Sequence, residues 1–376
     1  MAPWRVPLAD VTLSEEDLAA VVDAYRSGWL SMGPHTATFE QAFAAFTGST
    51  HVVAVASGTA ALHLACLAAG LGPGDEVIVP SLTFVATVNA IIYTGATPVF
   101  ADIAGLTEPW LSATEAEAAI TPRTKAIMAV AYGGHPGELA DLARLADERG
   151  LALLEDAAHA AGARVGGRHI GTFGLIGAFS FFANKNLAVG EGGAVVTDDK
   201  ALADHMRLLR SHGMTAATWD RHRGHASAYD VVALGFNYRF DEPRAALAER
   251  RLARLDDENR LRHALDVRYR ERLAGVPGLT PTAAPPTRAG DTPAHHLFTI
   301  VLDEGADRDA FRGRMAASAI QTSLHYPPAH LFARVTDDRN ELPRTEAYAE
   351  RAVTLPLFAH MTREQQDLVL DAVAMV

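Results

Sequence analysis

A chain of 376 residues is too long for one small core and fits one large domain plus a smaller one. Its formal net charge of −12, with no basic stripe or aromatic ladder, argues against nucleic-acid binding. The single cysteine, Cys66, excludes an intramolecular disulfide, and no apolar run reaches the ~18 residues of a membrane span. Acidic residues stand in MAPWRVPLADVTLSEED where a signal peptide would have an apolar core, so the expected location is the cytoplasm.

The first helix is well punctuated. Ser14 can cap it, Glu15, Glu16 and Asp17 fill its positive end, and Leu18, Val21, Val22 and Tyr25 recur at helical spacing before Gly28 stops it. The loop GWLSMGP leads to a short helix around Phe39 to Phe46. Strands and helices then alternate. HVVAVAS, DEVIVPS, TPVFADI, KAIMAVAY, LALLEDA, GAFSFF and GGAVVTDD read as strands. GTAALHLACLAAG, FVATVNAIIYTG and LADLARLADERG read as helices, the last closed by Gly150. Short apolar runs alternating with helices imply an α/β fold, with a mostly parallel sheet covered on both faces.

A composition shift at Asp241-Glu242-Pro243 opens a long Arg- and Leu-rich helix to about Leu273, the expected bridge to a second domain. The division is a large domain over 1–243 and a small C-terminal α+β domain over 244–376. In the latter, HHLFTIVLD reads as a strand, and RDAFRGRMAAS and TREQQDLVLDAVAMV as helices.

The chain has thirty arginines but only three lysines. Lys125 follows the turn TPRT and Lys200 ends the acidic turn DDK. Lys185 lies in GAFSFFANKNLAVGEGGAVV, where Arg could replace it for surface charge but not as a nucleophile. It reads as either a loop lysine or a Schiff-base nucleophile.

Its companions fall at the carboxyl ends of strands, where such sheets bind ligands. Ser57-Gly58-Thr59-Ala60 lies where a strand hands over to a helix, and free N–H groups there make an anion site. Any strand-turn-helix needs small residues at that point, so this signal gains weight only in company. Asp156 ends the strand LALLED. It is either a helix N-cap or an anion holding a protonated pyridine nitrogen. His159, three residues on, would return to the same side of a helical turn. Ser180 lies five residues before Lys185 and could bind the same anion as the Ser57 turn. The chain has neither GxxxxGK[ST] nor GxGxxG after a strand, so a P-loop or nicotinamide reading has no anchor. Anion cradle, buried Asp, Ser and isolated Lys together match pyridoxal phosphate.

With these motifs in view the sequence resembles the DegT/StrS family of sugar aminotransferases, of the aspartate aminotransferase fold type I. The likeness runs through SGWLSMGP, SGTAALHLA, GDEVIVPSLTFVATVNAI, GATPVFADI, LLEDAAHAAGA, SFFANKNLAVGEGGAVVTDD, LGFNYRFDEPRAALA, HYPPAH and LPRTEAYAERAVTLPLF, over nearly the whole chain. It implies that Lys185 is the Schiff-base lysine and that Asp156 pairs with the pyridine nitrogen. Gly58, Thr59 and Ser180 would hold the phosphate, and Phe84 would stack on the ring. Asn237 would reach the phosphate bound by a neighbouring subunit, which makes the active unit a homodimer with shared sites. His159 stands where the family usually has Gln, and an imidazole there can stack on the ring or donate to its 3-oxygen.

The resemblance further implies glutamate as amino donor and a nucleotide-linked deoxysugar ketone as acceptor, in amino-sugar biosynthesis. A keto-cyclitol is the alternative acceptor. A nucleotide-sugar oxidoreductase is disfavoured by the missing glycine fingerprint, and a non-catalytic binding protein by the retained lysine. The substrate side would be lined by the loop with Trp29 and Met32, by the segment with Arg221, His222 and Tyr229, and by the His325-Tyr326 turn. Arg221-His222-Arg223-His225 reads as a diphosphate clamp or as a solvated charged loop. No Cys or carboxylate pattern accompanies these histidines to suggest a metal.

Overall fold

The computed structural model describes residues 4–215, 228–284, 290–333, 335 and 341–374. Helix α1 (Glu15–Arg26) carries the expected cap: Ser14 Oγ accepts the Asp17 N–H at 3.2 Å, and the Asp17 carboxylate accepts the Ser14 N–H at 2.9 Å. Helix α2 (Pro34–Thr47) begins earlier than expected around Phe39. Gly33 has no side chain to cap it, and the buried Glu242 carboxylate does so instead. It accepts the N–H groups of Gly33 and His35 at 2.8 Å and of Thr36 at 2.9 Å.

The alternating run follows as β1 (His51–Val55), α3 (Gly58–Ala68), β2 (Glu76–Pro80), α4 (Val85–Tyr93), β3 (Thr97–Ala101), α5 (Ala113–Ala118), β4 (Thr124–Val130), α6 (Leu139–Arg149) and β5 (Ala152–Asp156). A hairpin of β6 (Arg164–Val165) and β7 (Arg168–His169) precedes β8 (Ile176–Ser180), β9 (Gly193–Thr197) and α7 (Lys200–Arg210). Seven of these strands form one sheet in the order β1-β9-β8-β5-β4-β2-β3. The run from β3 to β8 is parallel, and β9 runs against both β8 and β1.

Both faces of the sheet are apolar. Val52 and Ala54 of β1 pack with Phe39, Phe43 and Phe179 on one side, while Val53 and Val55 pack with Leu64 and Val195 on the other. Register sets Val130 beside Asp156 and Asp156 beside Ala178, so β4, β5 and β8 end together at one edge.

The long helix expected from Asp241 to Leu273 is two helices, α8 (Glu242–Leu252) and α9 (Leu255–Leu273). The break at Ala253-Arg254 lets them serve different cores. Ala245, Ala248 and Leu252 join the core of the large sheet, whereas Tyr269 and Leu273 join that of a smaller sheet. That sheet is antiparallel, in the order of β10 (Leu279–Pro281), β11 (Phe298–Leu302) and β12 (Ala352–Leu355). Helices α10 (Arg308–Ala317) and α12 (Arg363–Ala374) bury Phe311, Met315, Val369 and Val373 in its core, and α11 (Pro343–Arg351) leads into β12. No helix among the described residues is long and apolar enough to cross a membrane.

Candidate active site

The carboxyl ends of β1, β2, β4, β5 and β8 surround a cavity of about 420 Å³. On one side lies the start of α3. Ser57 caps this helix, its Oγ accepting the Ala60 N–H at 3.1 Å, while the N–H groups of Gly58 and Thr59 open at the helix's positive end. Gly58 permits a close approach. A Cβ there would sit 2.7 Å from Ser180 Cβ and 3.0 Å from Ser180 Oγ. Because it is glycine, two backbone amides and the Ser180 hydroxyl share one concave surface.

Asp156 is buried at the end of β5 and is held on both oxygens. Oδ2 accepts the Thr87 hydroxyl at 2.6 Å, and Oδ1 accepts the Ala158 N–H at 3.1 Å. Thr87 Oγ1 lies 2.7 Å from Thr83 Oγ1, so α4 and the loop before it contribute a short hydroxyl chain. Burial pushes the Asp156 carboxyl up, while these hydrogen bonds and the Lys185 ammonium pull it back.

Lys185 sits half-buried in a turn closed by its own N–H on Phe182 O at 2.9 Å. Burial draws its ammonium down to about 8, against the opposing pull of Asp156. The next residue anchors the turn. Asn186 Nδ2 donates at 2.8 Å to both Asn259 Oδ1 of α9 and Ala294 O, and its Oδ1 lies 3.0 Å from His296 Nδ1. Asn259 in turn donates to Ala161 O at 3.0 Å. The sequence singles out neither Thr87 nor Asn259, and it marks Asn186 only as part of the turn Asn184-Lys185-Asn186. The pair of asparagines flanking Lys185 was a legible signal for a turn, but the partner of Asn186 73 residues away was not.

The opposite wall holds His159, Phe84, His325 and Tyr326. His159 lies in a tight turn rather than the helical turn expected, because Ala157 keeps its N–H on Ala178 O of β8 at 2.8 Å and the chain then turns back. Its ring is buried, with Nδ1 3.2 Å from the Gly133 N and Nε2 3.0 Å from the Tyr326 hydroxyl. Burial, then the charges of Lys185, His296 and His325, hold it well below the ordinary imidazole value. The Tyr326 ring lies 5.8 Å from that of Phe84, which is more than half exposed to the cavity and solvent.

The loop bearing His325 and Tyr326 is tied down at several points. The Tyr132 hydroxyl donates to His325 O, His325 Nδ1 lies 2.8 Å from Thr354 Oγ1, and the Ala329 N–H donates to Ser81 O at 2.9 Å. Burial pushes His325 down to about 4, with Lys185 adding to the effect.

The cavity wall thus takes in Gly58, Thr59, Phe84, Asp156, His159, Ser180, Lys185, His325 and Tyr326. Asn237 is not among them. It is exposed and bridges through its backbone to Ser211. Trp29 and Met32 lie elsewhere too: Trp29 Nε1 donates to Met32 O at 3.3 Å, in the loop that Glu242 draws against α8. Tyr229 is exposed and outside the wall, and Arg221 and His222 lie outside the described residues.

These groups fit pyridoxal phosphate. Open amides with a hydroxyl suit a phosphate dianion, a buried carboxylate suits a ring N–H⁺, and a lysine drawn to about 8 suits imine chemistry. A mostly parallel sheet carrying such a cavity defines a fold type I pyridoxal-phosphate enzyme.

Comparison with known proteins agrees. The DegT/DnrJ/EryC1/StrS aminotransferase family profile matches residues 11–374. The spore coat polysaccharide biosynthesis protein SpsC of Bacillus subtilis is 40% identical over 99% of this chain and 96% of its own. The structure of S. venezuelae DesV in complex with a ketimine intermediate superimposes with a TM-score of 0.90 at 40% identity, covering 100% of this chain and 98% of that one. The putative sugar aminotransferase Spr1654 of Streptococcus pneumoniae in its PLP form gives 0.90 at 27% identity, covering 98% of each chain. The chain belongs to the DegT/DnrJ/EryC1/StrS family and is a pyridoxal-phosphate-dependent sugar aminotransferase.

Proposed function

We propose that this aminotransferase moves an amino group from glutamate to a keto group of a nucleotide-linked deoxysugar. One observation carries the reading: Lys185, drawn to about 8, shares with the buried Asp156 a cavity of about 420 Å³ that has an anion cradle at its side. That volume lies in the ~300–1,000 Å³ range of pockets for drug-sized ligands, and it has to take the cofactor as well as the reacting end of the substrate. The part of SpsC in polysaccharide biosynthesis favours a sugar acceptor of the activated kind.

Pyridoxal phosphate supplies the electron sink for the exchange of amino and keto groups. Gly58 and Thr59 would hold its phosphate through backbone N–H groups, with Ser180 through its hydroxyl. Asp156 Oδ2, fixed by Thr87, would keep the pyridine nitrogen protonated. Phe84 would cover one face of the ring. Lys185 Nζ would form the covalent link at rest and, once released, take the proton from the donor carbon. With its pKa drawn to about 8, roughly a tenth of the amine is unprotonated at pH 7, against well under a thousandth at the ordinary 10.5, which makes it a competent base.

The active unit is a homodimer, with Asn237 of one protomer at its partner's phosphate. Two features support this: Asn237 is exposed outside its own cavity, and Val231, Val232 and Leu234 beside it are exposed as well. The single buried Cys66 is in keeping with a cytoplasmic enzyme.

The test is to convert the loaded enzyme to its amine form with glutamate, remove the excess, and offer 3-keto and 4-keto nucleotide sugars beside a keto-cyclitol. Amination of a nucleotide sugar is expected. Amination of the cyclitol alone would transfer the enzyme to a different substrate class.

A further inference from the structure

The two nitrogens of His159 have different partners, and these decide where its proton sits. The Gly133 backbone N–H points at Nδ1 across 3.2 Å, and an amide N–H can only donate. Nδ1 is therefore the acceptor, and a neutral ring must carry its hydrogen on Nε2. Every charged or titratable neighbour favours neutrality except the buried Asp156 carboxyl. Lys185, His296 and His325 would all repel an imidazolium, and Tyr326 is a phenol that burial keeps protonated.

Nε2 lies 3.0 Å from the Tyr326 hydroxyl, so the ring N–H donates to that oxygen. A phenol oxygen that accepts this bond still has its own hydrogen to give. Among the described residues His159 is its only hydrogen-bond partner. Tyr326 lines the cavity next to Phe84, so the free O–H is available on the ligand side.

We propose that Tyr326, oriented by His159, is the hydrogen-bond donor of this wall, and that its O–H serves an oxygen atom of the bound cofactor or of the keto sugar. His159 is then a positioning residue. Its acceptor is spent on Gly133 and its donor on Tyr326, which leaves no imidazole N–H for the cofactor's 3-oxygen. The choice of acceptor rests on the pyridoxal-phosphate reading of the cavity, whereas the tautomer does not.

The first test uses the unloaded protein with ¹⁵N-labelled histidine, the His159 signals being assigned by their loss in His159→Gln. A pyridine-like Nδ1 and a pyrrole-like Nε2 are expected. The opposite tautomer or an imidazolium would overturn the proposal and leave the transaminase assignment standing.

The second test titrates pyridoxal phosphate into wild type, Tyr326→Phe, His159→Leu and His159→Gln, then measures kcat and KM for the keto sugar. Tyr326→Phe and His159→Leu are expected to weaken the same quantity, by about 3- to 10-fold for one lost hydrogen bond. His159→Gln, whose amide can accept from Gly133 and donate to Tyr326, should stay within about twofold of wild type. A fall in cofactor affinity would name the cofactor oxygen as acceptor, and a raised KM with cofactor binding intact would name the sugar. The proposal is overturned if Tyr326→Phe changes neither quantity, or if His159→Leu matches wild type while Tyr326→Phe does not. Failure of the wild type to bind pyridoxal phosphate would sink the cavity reading but not the tautomer.

Discussion

Only an unprotonated amine attacks a carbonyl carbon, and the surroundings of Lys185 set how much of that amine exists at neutral pH. Burial lowers the pKa from 10.5 to about 8, and Asp156 is the group that resists the fall. The rate at which unloaded protein combines with pyridoxal phosphate should therefore rise with pH and level off above about 8, as followed by stopped-flow absorbance. Asp156→Asn removes the resisting charge, so the midpoint should move to lower pH even as transamination collapses. Thr87→Val deletes a 2.6 Å hydrogen bond to a buried carboxylate. Urea unfolding should register a cost of about 1.5–3 kcal/mol, and the Asp156 carboxyl should titrate higher still. The rarity of lysine made Lys185 legible in the sequence, and the end of an apolar strand did the same for Asp156. Thr87 was not legible, because a threonine in an apolar helix announces nothing until β5 is laid beside it.

At the scale of elements, the site depends on α3 lying against the end of β8, and Gly58 is what allows it. Gly58→Ala would place a methyl 2.7 Å from Ser180 Cβ. Overpacking of this kind costs about 1–3 kcal/mol, and the displaced helix start should also weaken cofactor binding in a fluorescence titration. The alternation of strands and helices was readable because buried strands and amphipathic helices have different periods. The break between α8 and α9 was not readable. No Gly or Pro marks Ala253-Arg254, and tertiary partners decide it: Arg254 pairs with Asp17 of α1 and with Glu258 of α9. We propose that the joint between the large and small domains, expected at residues 243–244, falls there instead, since α8 packs with the large sheet and α9 runs on to the small one. The turn that carries His159 was hidden for the same reason, its course being set by β8 rather than by local propensity.

At the scale of the whole molecule, the cavity wall does not include Asn237, and the segment around that residue exposes Val231, Val232 and a Leu234 that is 88% accessible. If the proposed homodimer forms through this segment, Leu234→Asp should shift the enzyme from dimer to monomer in sedimentation velocity and lower cofactor affinity with it. On the same proposal, Asn237→Ala should lower affinity while leaving the sedimentation of the wild type unchanged. The central claim is that Lys185 is the group through which this fold performs transamination. The most direct measurement follows the visible absorbance of wild type and Lys185→Ala, each reconstituted with pyridoxal phosphate, before and after glutamate and a keto sugar are added. Wild type should show the imine band, lose it with glutamate and regain it with the acceptor, while Lys185→Ala shows no protein-linked band and no turnover. A Lys185→Ala enzyme that kept both the band and the amination would contradict the account.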